Sequence, residues 1–241
     1  MAGHSKWAKL KHFKGAIDAK RGKIFSKLSK EITIAAKLAG GDPGMNPRLR
    51  MVLLKCRSAN MPMENVERAI KKGTGGDGGA SYEDLTYEVY GPHGVAMLVE
   101  LSTDNRNRTA AEIRSLLTKN NGSIATSGSV TRLFHRKGEF IISREAAKED
   151  DLMEVALNAG AEDFKAADEG YEVITEPAAF DAVNKQIEAK GIKCEAAHLT
   201  FLPVLTVPLE ASAATSVSRL VDALEDNDDV KEVYTNAEFP E

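Results

Sequence analysis

The feature that most constrains this sequence is a change in the sign of its charge near residue 72. Residues 1–72 contain 17 Lys and Arg against 5 Asp and Glu, a net charge of +12. Residues 73–241 contain 15 Lys and Arg against 31 Asp and Glu, a net charge of −16. The change coincides with the glycine-rich stretch Gly73–Gly79, whose composition is typical of a flexible linker. A chain divided in this way is expected to form at least two folded units with different partners.

The basic part is predicted to be helical. A helix is expected over Ile17–Ala39, because its apolar residues recur at helical spacing and two glycines follow it. Asn46 and Pro47 are typical of the N-cap and first position of a second helix. A third helix is expected to begin at Pro62 and to end before Gly73. The sequence therefore predicts a small three-helix domain over residues 1–75.

The acidic part is predicted to alternate between short strands and helices. Residues 134–203 contain one full set of strand, helix, two strands, helix and strand, which is typical of a ferredoxin-like sandwich. Residues 76–133 and 204–241 each lack part of such a set, so together they are expected to form one discontinuous domain. Ser129–Phe134 is a candidate strand within it. The predicted fold class is α+β, with the three-helix domain followed by two ferredoxin-like α/β sandwich domains.

The basic domain is the main candidate for binding a polyanion. Lysines near phosphates release condensed counterions, and aromatic rings can stack on unpaired bases. The alternative is that these lysines form only a solvated helix face and that the tryptophan belongs to the core. The candidate nucleic-acid contacts are Lys6, Trp7, Lys9, Lys11, His12, Lys14, Lys20, Arg21, Lys23, Lys27 and Lys30.

The type of basic residue limits what such a surface can recognise. Nine lysines and one arginine precede residue 48. Lysine is a compact point charge, whereas arginine gives the bidentate readout of bases. The composition therefore favours backbone contacts with weak sequence preference, as in binding to RNA or loosely specific binding to DNA.

A second polar cluster lies at the start of a predicted helix. Arg106, Asn107 and Arg108 follow Asp104 and Asn105, and both Asp and Asn are good N-caps. The cluster is thus either a structural cap or a surface that recognises an anion or a partner.

Motifs for catalysis or metal binding are not evident in the sequence. The five histidines and two cysteines show no metal-ligand spacing, and no Lys-Ser or Lys-Thr follows the glycine-rich stretch as in a phosphate loop. No catalytic residue, metal or cofactor is therefore expected. Apolar runs long enough for a membrane span and a secretory leader are also lacking, so a cytoplasmic location is expected. The sequence leaves the oligomeric state open, with a monomer favoured.

Several segments of the chain form a recognisable series: Ala2–Trp7, Lys11-His12, Asp18–Phe25, Gly40–Pro43, Asn60–Pro62, Ile70–Gly73, Tyr87–Pro92 and Thr103–Thr109. In this order they resemble the YebC family, which also includes mitochondrial translational activators. The resemblance covers essentially the whole chain, and one departure is Phe13, where many relatives carry a basic residue.

The resemblance implies a helical domain with two α/β domains and a non-enzymatic role in gene expression. Family members are usually described as cytoplasmic DNA-binding transcriptional regulators. Others are described as ribosome-associated translation factors that bind ribosomal RNA and relieve stalling at proline-rich stretches. In either role, the acidic domains would meet the transcription machinery or the ribosome. A protein-interaction scaffold without nucleic-acid contact is the remaining alternative.

Overall fold

The computed structural model describes residues 22–75 and 81–240. The first helix, α1, occupies residues 22–39 of this range. The other helices are α2 (Pro47–Ser58), α3 (Met63–Thr74), α4 (Arg106–Lys119), α5 (Glu149–Asn158), α6 (Phe180–Ala189) and α7 (Ala211–Glu225). The strands are β1 (Glu83–Tyr90), β2 (Ala96–Thr103), β3 (Ser123–Ile124), β4 (Phe134–Ser143), β5 (Ala161–Ala167), β6 (Gly170–Thr175), β7 (Ala196–Pro203), β8 (Val207–Pro208), β9 (Val230–Thr235) and β10 (Ala237–Glu238).

These elements confirm the predicted α+β class, with a helical N-terminal domain and two sheet domains. The described residues fall into two compact units. The first unit joins the helical domain to Arg136–Thr200, and the second joins residues 81–135 to 201–240. The domain boundaries given above stay predictions. In the described ranges, no helix is long and apolar enough to cross a membrane.

The helical domain is organised around the loop between α1 and α2. Asn46 is fully buried there, and its Oδ1 accepts the amide of Leu49 at 3.0 Å, as the predicted N-cap requires. Its Nδ2 also donates to the carbonyls of Ala35 and Gly40, both at 2.8 Å. One side chain thus caps α2 and satisfies two carbonyls at the end of α1.

Helix α2 contributes to two hydrophobic cores of the first unit. Leu49, Val52 and Cys56 pack into the helical domain. Met51 and Leu54 pack instead against the core of the sheet formed by β4 to β7. The helical domain and this sheet domain are therefore joined by apolar contacts.

Two ion pairs connect α2 to α6. Arg50 Nη2 lies 2.8 Å from Asp181 Oδ2, and Arg57 Nη1 lies 3.5 Å from Glu188 Oε1. The partners are seven residues apart on both helices, so α2 and α6 run side by side in the same direction. Arg50 Nη1 also donates to the Pro43 carbonyl at 2.7 Å, which ties the α1–α2 loop to the same contact.

The sheet of the first unit has the order β5-β6-β4-β7. Strands β5 and β6 form a hairpin, and both β4 and β5 pair antiparallel with β6. Helices α5 and α6 cover one face, where Phe140 and Phe180 stack with centroids 4.6 Å apart. This is the strand and helix order that the sequence predicts for residues 134–203.

The sheet of the second unit has the order β3-β1-β2-β9. Helices α4 and α7 pack on one face through Ile113, Leu117 and Leu220. The prediction of a strand over Ser129–Phe134 is wrong. Residues 125–133 form a loop with a 3₁₀ turn at Thr131–Leu133, and this loop supplies Val130 to a small apolar cluster with Leu98.

Replacement of Asn46 tests the capping arrangement. Asn46→Ala removes the cap of α2 and the amide that binds the carbonyls of Ala35 and Gly40, so we expect a loss of about 2–3 kcal/mol in the free energy of unfolding. Asn46→Asp retains the acceptor for Leu49 but places a buried carboxylate against the same two carbonyl oxygens, so it should also be less stable than wild type. Urea unfolding followed by circular dichroism measures all three. Equal stability of Asn46→Ala and wild type would contradict the arrangement.

Candidate nucleic-acid interface

Three of the predicted nucleic-acid contacts lie in the described part of α1. Lys23, Lys27 and Lys30 are all half-buried on this helix. Half-burial is compatible with phosphate contact, because a lysine can cover its methylene stem and still present its ammonium group to solvent. The other predicted contacts lie outside the described residues: Lys6, Trp7, Lys9, Lys11, His12, Lys14, Lys20 and Arg21.

The structure adds three basic residues to this candidate surface. Helices α1 and α3 meet at their C-terminal ends, where Thr33 Oγ1 donates to the Ala69 carbonyl at 3.2 Å. Their backbones approach so closely that a Cβ on Gly73 would lie 2.5 Å from the Thr33 carbonyl oxygen and 3.2 Å from the Lys37 amide nitrogen. Lys37 therefore lies beside the end of α3, which carries Lys71 and Lys72, and all three lysines are exposed.

Sequence reasoning missed this cluster because Lys37 precedes Lys71 by 34 positions. The available signal is Gly73. The prediction that α3 ends before this glycine is wrong, because Gly73 lies within the last turn of α3 (Met63–Thr74). A glycine at that point also permits the close approach of two helices. The ordinary role of the three lysines is to stabilise the C-terminal ends of α1 and α3, where cations are favoured.

The contact between α2 and α6 uses arginines of the basic domain. Arg50 and Arg57 are paired with carboxylates of the sheet domain. Both arginines are thus engaged within the first unit, although Arg57 stays largely exposed. The candidate polyanion surface consists of the lysines of α1 and α3.

The Arg106–Arg108 cluster begins α4 in the second unit. Asn105 is the N-cap, and its Oδ1 accepts the Arg108 amide at 3.1 Å. Arg106 and Asn107 are exposed on the first turn. The structural role predicted for the neighbouring Asn is therefore present, and anion or partner recognition by Arg106 and Asn107 stays a prediction.

Arg108 has a different environment from Arg106. Its Nη2 lies 2.7 Å from Asp229 Oδ2 and 3.0 Å from Asp104 Oδ1. Hydrogen bonds with Asp229 and Asp104 raise the pKa of the Arg108 guanidinium above its ordinary value. Arg108 is therefore engaged with carboxylates of its own unit.

Asp229 is the centre of a buried polar network. Its side chain is 8% exposed, and Oδ2 accepts Thr109 Oγ1 at 2.7 Å as well as Arg108. Thr103 Oγ1 lies 3.2 Å from the same oxygen and 2.7 Å from Thr109 Oγ1. The network joins the end of β2, the start of α4 and the turn before β9. The acidic run of residues 225–229 thus contributes one carboxylate to the interior of the second unit.

The two cysteines are free thiols. Burial, followed by the nearby carboxylate of Glu31, raises the pKa of Cys56 to about 11. Burial, followed by Glu188 and Glu195, raises the pKa of Cys194 to about 12. Both groups are therefore protonated at neutral pH. In residues 22–75 and 81–240, no three His, Cys, Asp or Glu side chains are placed to hold a metal ion.

Removal of the Asp229 carboxylate tests the network. Asp229→Ala removes the buried oxygen shared by Thr103, Thr109 and Arg108 and leaves Arg108 with Asp104, so the free energy of unfolding should fall by about 2–3 kcal/mol. Asp228→Ala removes an exposed carboxylate one residue earlier and should change stability by less than about 0.5 kcal/mol. Thermal and urea unfolding of the two variants measure the difference. Similar stabilities of the two would show that Asp229 is not a structural centre.

The chain matches two family models that together cover most of its length. Residues 5–76 match the TACO1/YebC protein N-terminal domain, and residues 82–237 match the TACO1/YebC second and third domain.

Relatives of known name agree with these matches. A probable transcriptional regulatory protein of Citrifermentans bemidjiense is 52% identical over 241 residues, covering 100% of this chain and 97% of that protein. One from Trichlorobacter lovleyi is 54% identical over 237 residues, covering 98% and 95%. The crystal structure of a conserved hypothetical protein from Aquifex aeolicus is 43% identical, with a TM-score of 0.81 over 93% of both chains. This chain belongs to the TACO1/YebC family.

Proposed function

We propose that this protein is a non-enzymatic, cytoplasmic regulator of gene expression that binds nucleic acid through its basic helical domain, with DNA as its target. The observation that carries the proposal is the net charge of +12 on residues 1–72 of a chain whose total is −4. Such an excess on one domain is the electrostatic footprint of a nucleic-acid-binding surface. Relatives named as probable transcriptional regulatory proteins support transcription as the process.

The arrangement of the first unit supports a division of roles. Met51 and Leu54 of α2 pack the helical domain on the sheet domain, and Arg50 and Arg57 pair with α6, so the position of the lysine-bearing helices is fixed relative to that sheet. The candidate surface extends beyond the predicted α1 contacts Lys23, Lys27 and Lys30. The added residues are the exposed Lys37, Lys71 and Lys72. The acidic sheet domains would be repelled by phosphates, and they are suited to hold the orientation or to recruit a basic protein.

A second candidate is a translation factor that binds ribosomal RNA. The bias of nine lysines to one arginine before residue 48 favours it, because lysines bind the sugar–phosphate backbone without reading bases. Contacts of this kind do not distinguish DNA from RNA by charge alone. A protein scaffold without nucleic-acid contact is the third candidate, and it predicts that the lysines are dispensable.

The contribution of the α1 lysines can be measured directly. Lys23→Gln, Lys27→Gln and Lys30→Gln together remove three positive charges from the candidate surface. We expect the slope of log affinity against log salt to decrease by up to about 2.7 for a DNA duplex, because each lost phosphate contact removes about 0.9.

The matched control removes three lysines from the sheet domain of the first unit. Lys148, Lys185 and Lys190 are all exposed and lie at α5 and α6. Their replacement by Gln changes the total charge equally and should leave the slope unchanged. Equal effects of the two triple variants would mean that net charge alone controls binding, and wild-type affinity of the α1 variant would support the scaffold.

Ultraviolet crosslinking in cells separates the two nucleic-acid targets. We expect DNA recovered with the protein to be concentrated at promoters, with ribosomal RNA at the level of an untagged control. The α1 triple variant provides a second control, since its crosslinks should decrease. Reads concentrated on ribosomal RNA would replace transcription by translation as the regulated process.

A further inference from the structure

One stretch of the acidic part of the chain contains no acidic residue. Residues 113–135 include Arg114, Lys119 and Arg132 and have no Asp or Glu. The other described residues of the second unit have 14 Asp and Glu against four Lys and Arg. The charge of this unit is therefore unevenly distributed, and residues 113–135 form what we call the acid-free edge.

The fold places most of this stretch along one border of the sheet. The second half of α4 leads through a turn into β3, which pairs only with β1 in the order β3-β1-β2-β9. The loop of residues 125–133 then leaves β3. Arg114, Lys119 and Arg132 are all exposed.

The loop is held in place by one carboxylate of β1. Glu88 Oε1 accepts the Gly128 amide at 2.6 Å, and Oε2 accepts the amides of Val130 and Thr131 at 2.6 and 2.8 Å. The Glu88 carbonyl also accepts the Ala125 amide at 2.8 Å. A surface loop with four hydrogen bonds to one residue has a defined conformation without a ligand.

The same contacts offset the charge of the Glu88 side chain. Partial burial alone would raise the pKa of Glu88, but the hydrogen bonds from Gly128, Thr131 and Val130 together lower it below its ordinary value. The carboxylate thus stays ionised at neutral pH, and three amides and the Thr131 hydroxyl offset its charge locally. Arg132 and the hydroxyl-bearing Ser127 are exposed on the loop.

Exposed arginine, lysine and hydroxyl groups are the usual donors to phosphate oxygens, and they position a protein on a nucleic acid without reading its sequence. Elsewhere in the described residues of the second unit, carboxylates outnumber cations and would repel phosphates. We propose that the acid-free edge is a second nucleic-acid contact, which binds the sugar–phosphate backbone through Lys119 and Arg132. This inference rests on the proposed function, because it assigns a further contact to the same polyanion.

The ordinary explanation of the loop is that it only covers apolar surface. Val130, Leu133 and Phe134 do pack beside Leu98 and Tyr234. That role requires the buried side chains, while Lys119 takes no part in it and Arg132 contributes only a 3.3 Å hydrogen bond from Nε to the Ser129 carbonyl. Substitution of the exposed cations therefore separates a binding role from a covering role.

The test measures the binding of the full chain to two fluorescent probes of mixed sequence, a 30-base-pair DNA duplex and a 30-nucleotide single-stranded RNA. Lys119→Gln with Arg132→Gln should weaken binding of at least one probe roughly tenfold at about 0.1 M salt and lower its salt slope by about 1.4–1.8. Arg132→Gln alone should have a smaller effect. Arg219→Gln, an exposed arginine of α7 in the same unit, is the matched control and should bind as wild type does. Unchanged melting temperatures exclude loss of fold as the cause.

One outcome would overturn the acid-free edge and leave the proposed function standing. In that outcome the Lys119/Arg132 variant binds both probes with wild-type affinity, while the α1 triple variant binds them more weakly. Equal loss in the Arg132→Gln and Arg219→Gln variants would also overturn it, since each removes one positive charge and net charge would then explain the result. Failure of the wild-type chain to bind either probe would overturn the proposed function together with this inference.

Discussion

The first unit depends on α2, because this helix is shared by two hydrophobic cores. Its residues Leu49, Val52 and Cys56 face the helical domain, while Met51 and Leu54 face the sheet domain. A helix covered on two sides has little freedom to rotate, so the domains that pack on it share one orientation. The ion pairs of Arg50 and Arg57 then specify which helix of the sheet domain lies alongside. Exposed ion pairs contribute little stability. The apolar contacts of α2 therefore hold the two domains together, and the ion pairs determine how α2 is aligned along α6.

The contact between α2 and α6 shows one consequence of the division of charge along the sequence. A domain of net charge +12 and an acidic sheet domain attract each other within one chain, and part of that attraction is used at α2 and α6. The second unit is organised differently, because buried Asp229 collects Arg108, Thr103 and Thr109 at the start of α4. In both units, an arginine that looks available in the sequence is paired with a carboxylate far along the chain. Lysines and arginines without such a partner cannot be identified from composition alone.

Local signals in the sequence predicted local structure well. Asn46 and Pro47 identified the start of α2, because capping depends on residues within one turn. The strand and helix order of residues 134–203 followed from periodicity, and the sheet confirms it. The structure differs from the sequence prediction where a contact joins residues that are far apart in the chain. Ser129–Phe134 has the residues of a strand, but Glu88 binds the backbone amides of this segment from 40 or more positions away and holds it as a loop. The pairing of Arg108 with Asp229 across 121 positions was invisible for the same reason.

A surface that binds phosphates mainly through lysine gives affinity without much discrimination between sequences. Sequence specificity for a protein of this type must then come from the shape of the nucleic acid or from a protein partner. Two weak contacts with a nucleic-acid backbone can together give high affinity when one chain carries both. Once the first contact has formed, the second forms at a high effective concentration. Under the proposed function, the lysine surface of the helical domain and the acid-free edge would each add one backbone contact, and each contact could be weak and rapidly reversible. The acidic remainder of the chain would repel phosphates and so limit binding elsewhere.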